Sequence, residues 1–357
     1  MNIKKLLRQF FQRRRSKKNF GFTLIELLIG MILAFLVMAP MLGFMVNMLD
    51  SDNREQAKAT TEQEVQAALD YIARDLQQAI YIYGVKALSN NSSTDADSGI
   101  KNQIPPVKSA PGCSDVTKCI PILAFWKRQL VEDSRINGSP DYNPYVYSLV
   151  VYYQIIGNSG STTWSNSSRI GRFEIRDGVR ISPPPPLGIG AANDDPTLYF
   201  NKNDADLGID DGFALFKIDK SISTLDLNMN RWQGSGAFKA PVATLVDYID
   251  QSEWQKNSST TLQCPINPST VSTSNPNGDP LGRIPKDGSE VKGFYSCVDS
   301  SLWVAQVFIR GNALFRFNAG CNSGDPKRIG CSYREEDKVF FPRSTVQVRG
   351  QGFLDVK

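Results

Sequence analysis

The sequence predicts an α+β protein: a long N-terminal α-helix, half membrane stem and half amphipathic, packed on a disulfide-stapled head of mainly antiparallel β-strands. Three observations predict it. Residues 22–49 are almost continuously apolar behind a basic leader. Apolar residues then recur at three or four positions as far as Tyr83, the helical period. Beyond them, strand-like runs alternate with turns, no helical crossovers lie between, and all six cysteines fall in that part. The expected organisation is a leader at 1–21, a transmembrane helix at 22–49, an amphipathic helix at 50–83 and an extracytoplasmic head at 84–357.

The leader holds eight basic residues (Lys4, Lys5, Arg8, Arg13, Arg14, Arg15, Lys17, Lys18) and no acid. It therefore takes 8 of the 40 lysines and arginines and leaves 32 against 36 acids, so the main body is net −4 although the chain totals +4. A positive leader suits retention on the cytoplasmic side. A negative body argues against nucleic acid as its partner, since phosphate contacts need a basic surface.

From Phe22 to Leu49 the only conventional polar side chains are Thr23, Glu26 and Asn47. Residues 22–46 as a helix reach about 37 Å, enough to cross a bilayer core with tilt. A secretory signal has a shorter apolar stretch and a small-residue cleavage site just after it. The nearest such match, Ala57-Lys58-Ala59, lies well beyond the run. Glu26 is the anomaly. A carboxylate in hydrocarbon costs about 2.5–3.5 kcal/mol on insertion scales and needs a partner. A cut between Gly21 and Phe22 would create one: the new α-amine lies four residues from Glu26, and two chains could pair amine to carboxylate.

GFTLIELLIG at 21–30, behind the basic leader, resembles the class III signal of type IV prepilins and pseudopilins. The resemblance implies cleavage between Gly21 and Phe22 by a prepilin peptidase, N-methylation of Phe22, and an assembly role for Glu26. Thr23, Leu24, Ile25, Leu27 and Leu28 also fit the family pattern. The implied partners are other pilins or pseudopilins, the prepilin peptidase, an inner-membrane assembly platform and membrane lipid. The implied location is the bacterial inner membrane, crossed once, with the head in the periplasm or in a filament. The competing class is a membrane-anchored periplasmic enzyme or binding protein with an uncleaved signal anchor. Gly30 and Ala34, then Ala39 and Gly43, form small-xxx-small pairs that permit close helix approach. Pro40 should loosen the helix locally.

In the amphipathic half, Val65, Leu69, Ile72, Leu76, Ile80 and Tyr83 form the apolar stripe, with Glu62, Gln66, Arg74 and Gln77 between them. Gly84 is expected to end the helix. Residues 89–112 read as a polar, proline-containing loop. Strands are expected at Tyr145–Ile156, Arg169–Arg176, Phe213–Ile218, Val242–Ile249, Leu302–Phe317 and Thr345–Arg349. LWVAQVFIRGNALFRF at 302–317 and FFPRSTVQVRGQGF at 340–353 resemble cyanobacterial large minor pseudopilins, including those associated with hormogonium polysaccharide secretion and gliding. YSLVVYYQII through RIGRFEIRDG resembles the strand–turn–strand of large minor pseudopilins.

There is no histidine. That removes Ser–His and Cys–His catalysis, His-ligated zinc and imidazole acid–base chemistry. No P-loop, G-x-S-x-G or dinucleotide fingerprint is present, so the sequence calls for no cofactor and no enzyme, though a carboxylate-only hydrolase needs no such motif. Cys113, Cys119, Cys264, Cys297, Cys321 and Cys331 form an even set, read as disulfides of an oxidising compartment. Six cysteines allow fifteen pairings; sequence proximity favours Cys113–Cys119, Cys264–Cys297 and Cys321–Cys331. The oxygen-rich loop with Asp194, Asp195, Asn203, Asp204, Asp206, Asp210 and Asp211 lacks EF-hand spacing and reads first as a solvated loop, with calcium the minor alternative. SPPPP at 182–186 reads as a stiff connector. Of Trp126, Tyr145, Tyr147, Tyr152, Tyr153 and Trp303, strand alternation makes about half core. Asn90, Asn137, Asn166 and Asn257 open N-x-S triplets, which matter only where a glycosylation system reads them.

Overall fold

The computed structural model describes residues 23–130, 145–157, 163–178, 208–252, 264–267, 270, 272–274, 281–286, 293–322 and 331–352. The chain divides into two units, one ending at Asn53 and one beginning at Arg54. Helix α1 (Leu24–Gln77) runs through the division and continues as α-helix through Pro40. Its first-unit residues are all exposed, and it is long and apolar enough to cross a membrane.

In the second unit α1 acts as an ordinary core helix. Ala57, Thr61, Val65, Ala68, Leu69, Ile72 and Leu76 form one buried stripe. The spacing of three or four keeps them on one face. Each fully buried Leu or Ile of this kind contributes about 1.5–3 kcal/mol.

The helix ends at Gln77, six residues before the expected 83, and the chain passes directly into strand β1 (Ala79–Ile82). Ile80 and Tyr83 suit a helical stripe, but AIYIY also consists of β-branched and aromatic residues that prefer a pleated, buried position. The neighbouring strand decides the outcome: β1 pairs antiparallel with β2 (Cys119–Leu130), all four of its residues are buried, and Tyr83 N donates to Ala124 O at 2.9 Å. Gly84 does not end the helix; it is the N-cap of the short helix α2 (Val85–Ser89).

Strands β3 (Tyr145–Ile155), β4 (Ser168–Arg176) and β5 (Ala243–Ile249) extend the first sheet, giving the order β1-β2-β3-β4-β5 with every pair antiparallel. Helix α3 (Leu225–Asn230), capped by Thr224, precedes β5. The second sheet consists of β6 (Gly282–Ile284), β7 (Phe294–Asp299), β8 (Val304–Arg310) and β9 (Arg343–Arg349) in that order, again antiparallel. The expected strand at 213–218 is not formed, and the run expected at 302–317 is a strand followed by helix α4 (Leu314–Phe317).

One core joins both sheets and the helix stripe. Buried polar ties cross between the sheets: Ser296 Oγ donates to Ile122 O at 2.6 Å, and Phe294 N donates to Gln154 Oε1 at 3.0 Å. Trp126 stands at the centre of an aromatic group, with Phe213, Phe216 and Trp232 rings edge-on at 5.8, 5.1 and 5.7 Å. The indole N–H donates to the Tyr83 hydroxyl at 2.9 Å, and that hydroxyl donates to Met229 O at 3.2 Å, so both buried polar tips are satisfied. Three disulfides, Cys113–Cys119, Cys264–Cys297 and Cys321–Cys331, close local loops of the head.

Candidate functional site: the N-terminal helix and its anchorage

The first turn of α1 is built by TLIE at 23–26. Glu26 N donates to Thr23 Oγ1 at 3.3 Å, and Leu27 N donates to Thr23 O at 3.1 Å. Thr23 is thus the N-cap and Glu26 the third helical residue, the spacing of a capping box. A carboxylate there also faces the positive end of the helix dipole. Sequence reasoning singled out Glu26 for its charge and passed over this local role, although S/T-x-x-E ahead of an apolar run is its visible signature.

What lies around Glu26 is apolar. Leu24, Leu27, Leu28, Ile29 and Met31 are all more than half exposed, and residues 23–53 contain no lysine or arginine. Among the described residues of this unit, then, no cation is available to Glu26. A Cβ placed on Gly30 or Gly43 would meet nothing within 4 Å, so these positions are flat, open patches on the helix. Such an apolar surface needs lipid or other helices to cover it. Gly21 and Phe22 lie outside the described residues, as does the leader.

The lower part of the helix is held by a buried charge cluster that the sequence did not reveal. Asp75 Oδ2 receives Arg172 Nε at 2.8 Å and the Tyr152 hydroxyl at 2.7 Å, while Asp75 Oδ1 faces Lys127 Nζ at 3.2 Å. Glu174 closes the group, 3.0 Å from Lys127 and 2.6 Å from Arg172. Lys127 lies on β2, Tyr152 on β3, and Arg172 with Glu174 on β4, so one helical carboxylate ties three strands. Burial alone would raise the Asp75 carboxyl; Arg172, Lys127 and the Tyr152 hydroxyl outweigh it and hold it below the ordinary range. Glu174 is likewise lowered, burial being outweighed by Arg172 and Lys127. Burial and the Asp75 charge push the Tyr152 hydroxyl well up, so it stays a donor.

A second tie binds the helix farther up. Arg316 pairs with Glu64, donates through Nε to Thr61 Oγ1 at 2.8 Å, and lies 3.9 Å from the Tyr248 ring centroid. Tyr248 itself holds a positive φ of 61°. Lys58 adds a cation over the Phe340 ring at 4.8 Å. These contacts fix the helix; none is arranged as nucleophile, base and oxyanion donor.

The other candidates disperse. Asp210 accepts Arg176 N at 2.7 Å and Asp211 pairs with Lys239 at 2.8 Å; Asp194, Asp195, Asn203, Asp204 and Asp206 lie outside the described residues, as does SPPPP at 182–186. Trp126, Tyr152 and Tyr153 are core, Tyr147 and Trp303 half-buried, and Tyr145 exposed with Arg128 stacked on it at 4.0 Å. Asn90 and Asn166 are half-buried; Asn137 and Asn257 lie outside the described residues.

Residues 16–42 match the family model described as the prokaryotic N-terminal methylation motif. No curated protein and no solved structure matches the chain. The match falls on the basic-to-apolar junction, the capped first turn and Glu26. It supports a pilin-like structural subunit of the cell envelope anchored through this helix, in preference to an enzyme.

Proposed function

We propose that this chain is a minor pilin or pseudopilin, cut by a prepilin peptidase between Gly21 and Phe22, N-methylated on Phe22, and assembled through α1 into a type IV pilus-like filament. In this reading the helix crosses the inner membrane once with the head in the periplasm. An inner-membrane platform then draws the subunit from lipid into contact with other pilins. Glu26 is the docking group. Before assembly its charge costs about 2.5–3.5 kcal/mol in the hydrocarbon. Beside a sister chain whose Phe22 amine is free, that carboxylate acquires a cation in a medium where the pair attracts strongly.

One observation carries the proposal: the methylation motif at 16–42 includes a lone carboxylate in the first turn of α1, whose residues as far as Asn53 are exposed, with no lysine or arginine within residues 23–53. The head supports a sparse position, because a domain spanning 84–357 would crowd successive copies along a tightly packed shaft. Filaments of this kind are open heterologous assemblies, each subunit presenting one surface and receiving another. The machine we assign is a secretion filament that supports polysaccharide export and gliding, on the strength of the head's resemblance at 302–317 and 340–353 to cyanobacterial large minor pseudopilins.

The test is Glu26→Ala. The variant should stay in the membrane fraction but fall at least tenfold in sheared filaments relative to wild type. Normal incorporation would remove the docking role. Deletion of the gene, scored for pili, secreted protein and exported polysaccharide, tests the machine separately; an unchanged polysaccharide yield would overturn that assignment alone.

A further inference from the structure

The second sheet has two different faces, and strand register assigns each residue to one of them. Phe294, Ile309, Val307, Val298, Ala305 and Val348 point into the common core. On the opposite face the cross-strand rows read Arg310 beside Arg343, then Tyr295–Phe308–Thr345, then Arg283–Cys297–Gln306–Gln347, and finally Arg349 beside Val304. That outer face carries four arginines, two glutamines and two aromatic rings. Among the described residues of these strands its one carboxylate is Asp299 at the far end, whose Oδ1 accepts from Ser301 N at 2.9 Å and Leu302 N at 3.2 Å.

Arg310 and Arg343 stand directly opposite on neighbouring strands. Like charges in that position destabilise a sheet, so the arrangement needs a compensating group. Part of it is present. Asp250, fully buried, pairs with Arg310 at 2.5 Å, and both guanidinium groups lie over the Tyr333 ring, at 4.5 and 4.8 Å from its centroid. Arg343 is exposed and has no ion-paired carboxylate among the described residues. Glu335 accepts the Tyr333 hydroxyl at 2.7 Å and interacts with the Arg343 charge, but does not line the space beside the arginines.

That space is a cavity of about 530 Å³ walled by Tyr295, Phe308, Arg310, Arg343 and Thr345. Its size falls within the range of small-ligand sites, roughly 300–1,000 Å³. Tyr295 and Phe308 stack with centroids 4.5 Å apart and planes 5° from parallel, and Arg283 lies 5.5 Å from the Tyr295 centroid. The disulfide Cys264–Cys297 and Leu281 pack against this stack.

We propose that this cavity binds an acidic saccharide, with the planar carboxylate of a uronate ring held by Arg343 beside Arg310 and the ring lying against the Tyr295–Phe308 stack. A guanidinium fork matches a carboxylate in two parallel hydrogen bonds. The Thr345 hydroxyl can serve ring hydroxyls, and the stacked aromatics offer an apolar face. An acidic peptide could use the edge of β9, which ends the second sheet; the stacked rings beside the arginines favour a sugar ring instead, and the peptide is one of the outcomes the test separates. The inference is independent of filament assembly, since it concerns only the head.

Calorimetry on the full-length chain in nanodiscs tests it with three probes: a short oligogalacturonate, its carboxyl-reduced neutral form, and a glutamate peptide of equal charge. The uronate should bind saturably, at least tenfold tighter than either of the others. Arg343→Gln should weaken it at least tenfold, while Arg349→Gln, three rows away on the same face, should leave it unchanged. If Arg343→Gln perturbs the fold, as judged by its melting temperature, Thr345→Glu tests the same charge requirement and should produce the same loss. Absence of uronate binding, equal binding of the neutral sugar or the peptide, or full affinity in a folded Arg343→Gln or Thr345→Glu variant would each overturn the proposal.

Discussion

Asp75 on the stem helix and Arg172 on β4 meet at 2.8 Å inside the head, 97 positions apart in sequence and with Lys127, Tyr152 and Glu174 around them. Within the second unit this contact ties the helix to three strands of the first sheet through a charged, hydrogen-bonded junction.

Removing one partner should therefore be costly. Asp75→Ala leaves Arg172 and Lys127 without their helical counter-charge, and breaking a buried pair in this way costs about 3–5 kcal/mol. Chemical denaturation of the full-length protein should show the loss as a shift in midpoint. Asp75→Asn should cost less, because the amide oxygen still accepts from Arg172 or Tyr152.

The same cluster sets an acid limit. Asp75 and Glu174 both have carboxyls lowered below their usual 3.8 and 4.5. A folded-state value below the unfolded one contributes stability that is complete above the unfolded value and lost as pH falls through the folded one. Melting temperature should hold steady above about pH 5 and fall steeply below pH 4. In Asp75→Asn the fall should be shallower.

Helix burial can be tested apart from charge. Leu69 is 1% exposed and sits mid-stripe. Leu69→Ala should cost about 2–5 kcal/mol, the range for a buried leucine truncated in a core that collapses only in part. Leu36→Ala, on the exposed first-unit surface, should leave the stability of the head unchanged.

The disulfides close loops of 6, 33 and 10 residues in sequence separation. Alkylation of the unreduced, denatured protein should label no cysteine. Cys264→Ser with Cys297→Ser removes the longest of these links and should lower stability by about 2–4 kcal/mol.

Much of the N-terminal half could be read directly, and the reasons are physical. A membrane stem announces itself by unbroken hydropathy, so one acid in it stands out; Val65 to Leu76 keeps a single helical period. The helix end could not be read, because Ile80 and Tyr83 satisfy both periods and only the β2 backbone chooses between them. Strand β2 was missed since CIPILAFW is apolar on both faces and contains Pro121, which disguises a central strand as irregular. The Asp75 cluster joins positions 75, 127, 152, 172 and 174, each unremarkable until the sheet forms. The arginine face is visible in RSTVQVR as alternation, but which side meets solvent depends on the register with β8.

The central claim is that processing frees the Phe22 amine to neutralise a neighbour's Glu26. Intact mass and N-terminal peptide analysis of the protein isolated from cells tests it most directly. The expected species begins with N-methylated Phe22. A mature chain that keeps Met1 and the basic leader would leave Glu26 without that cation and would contradict the account.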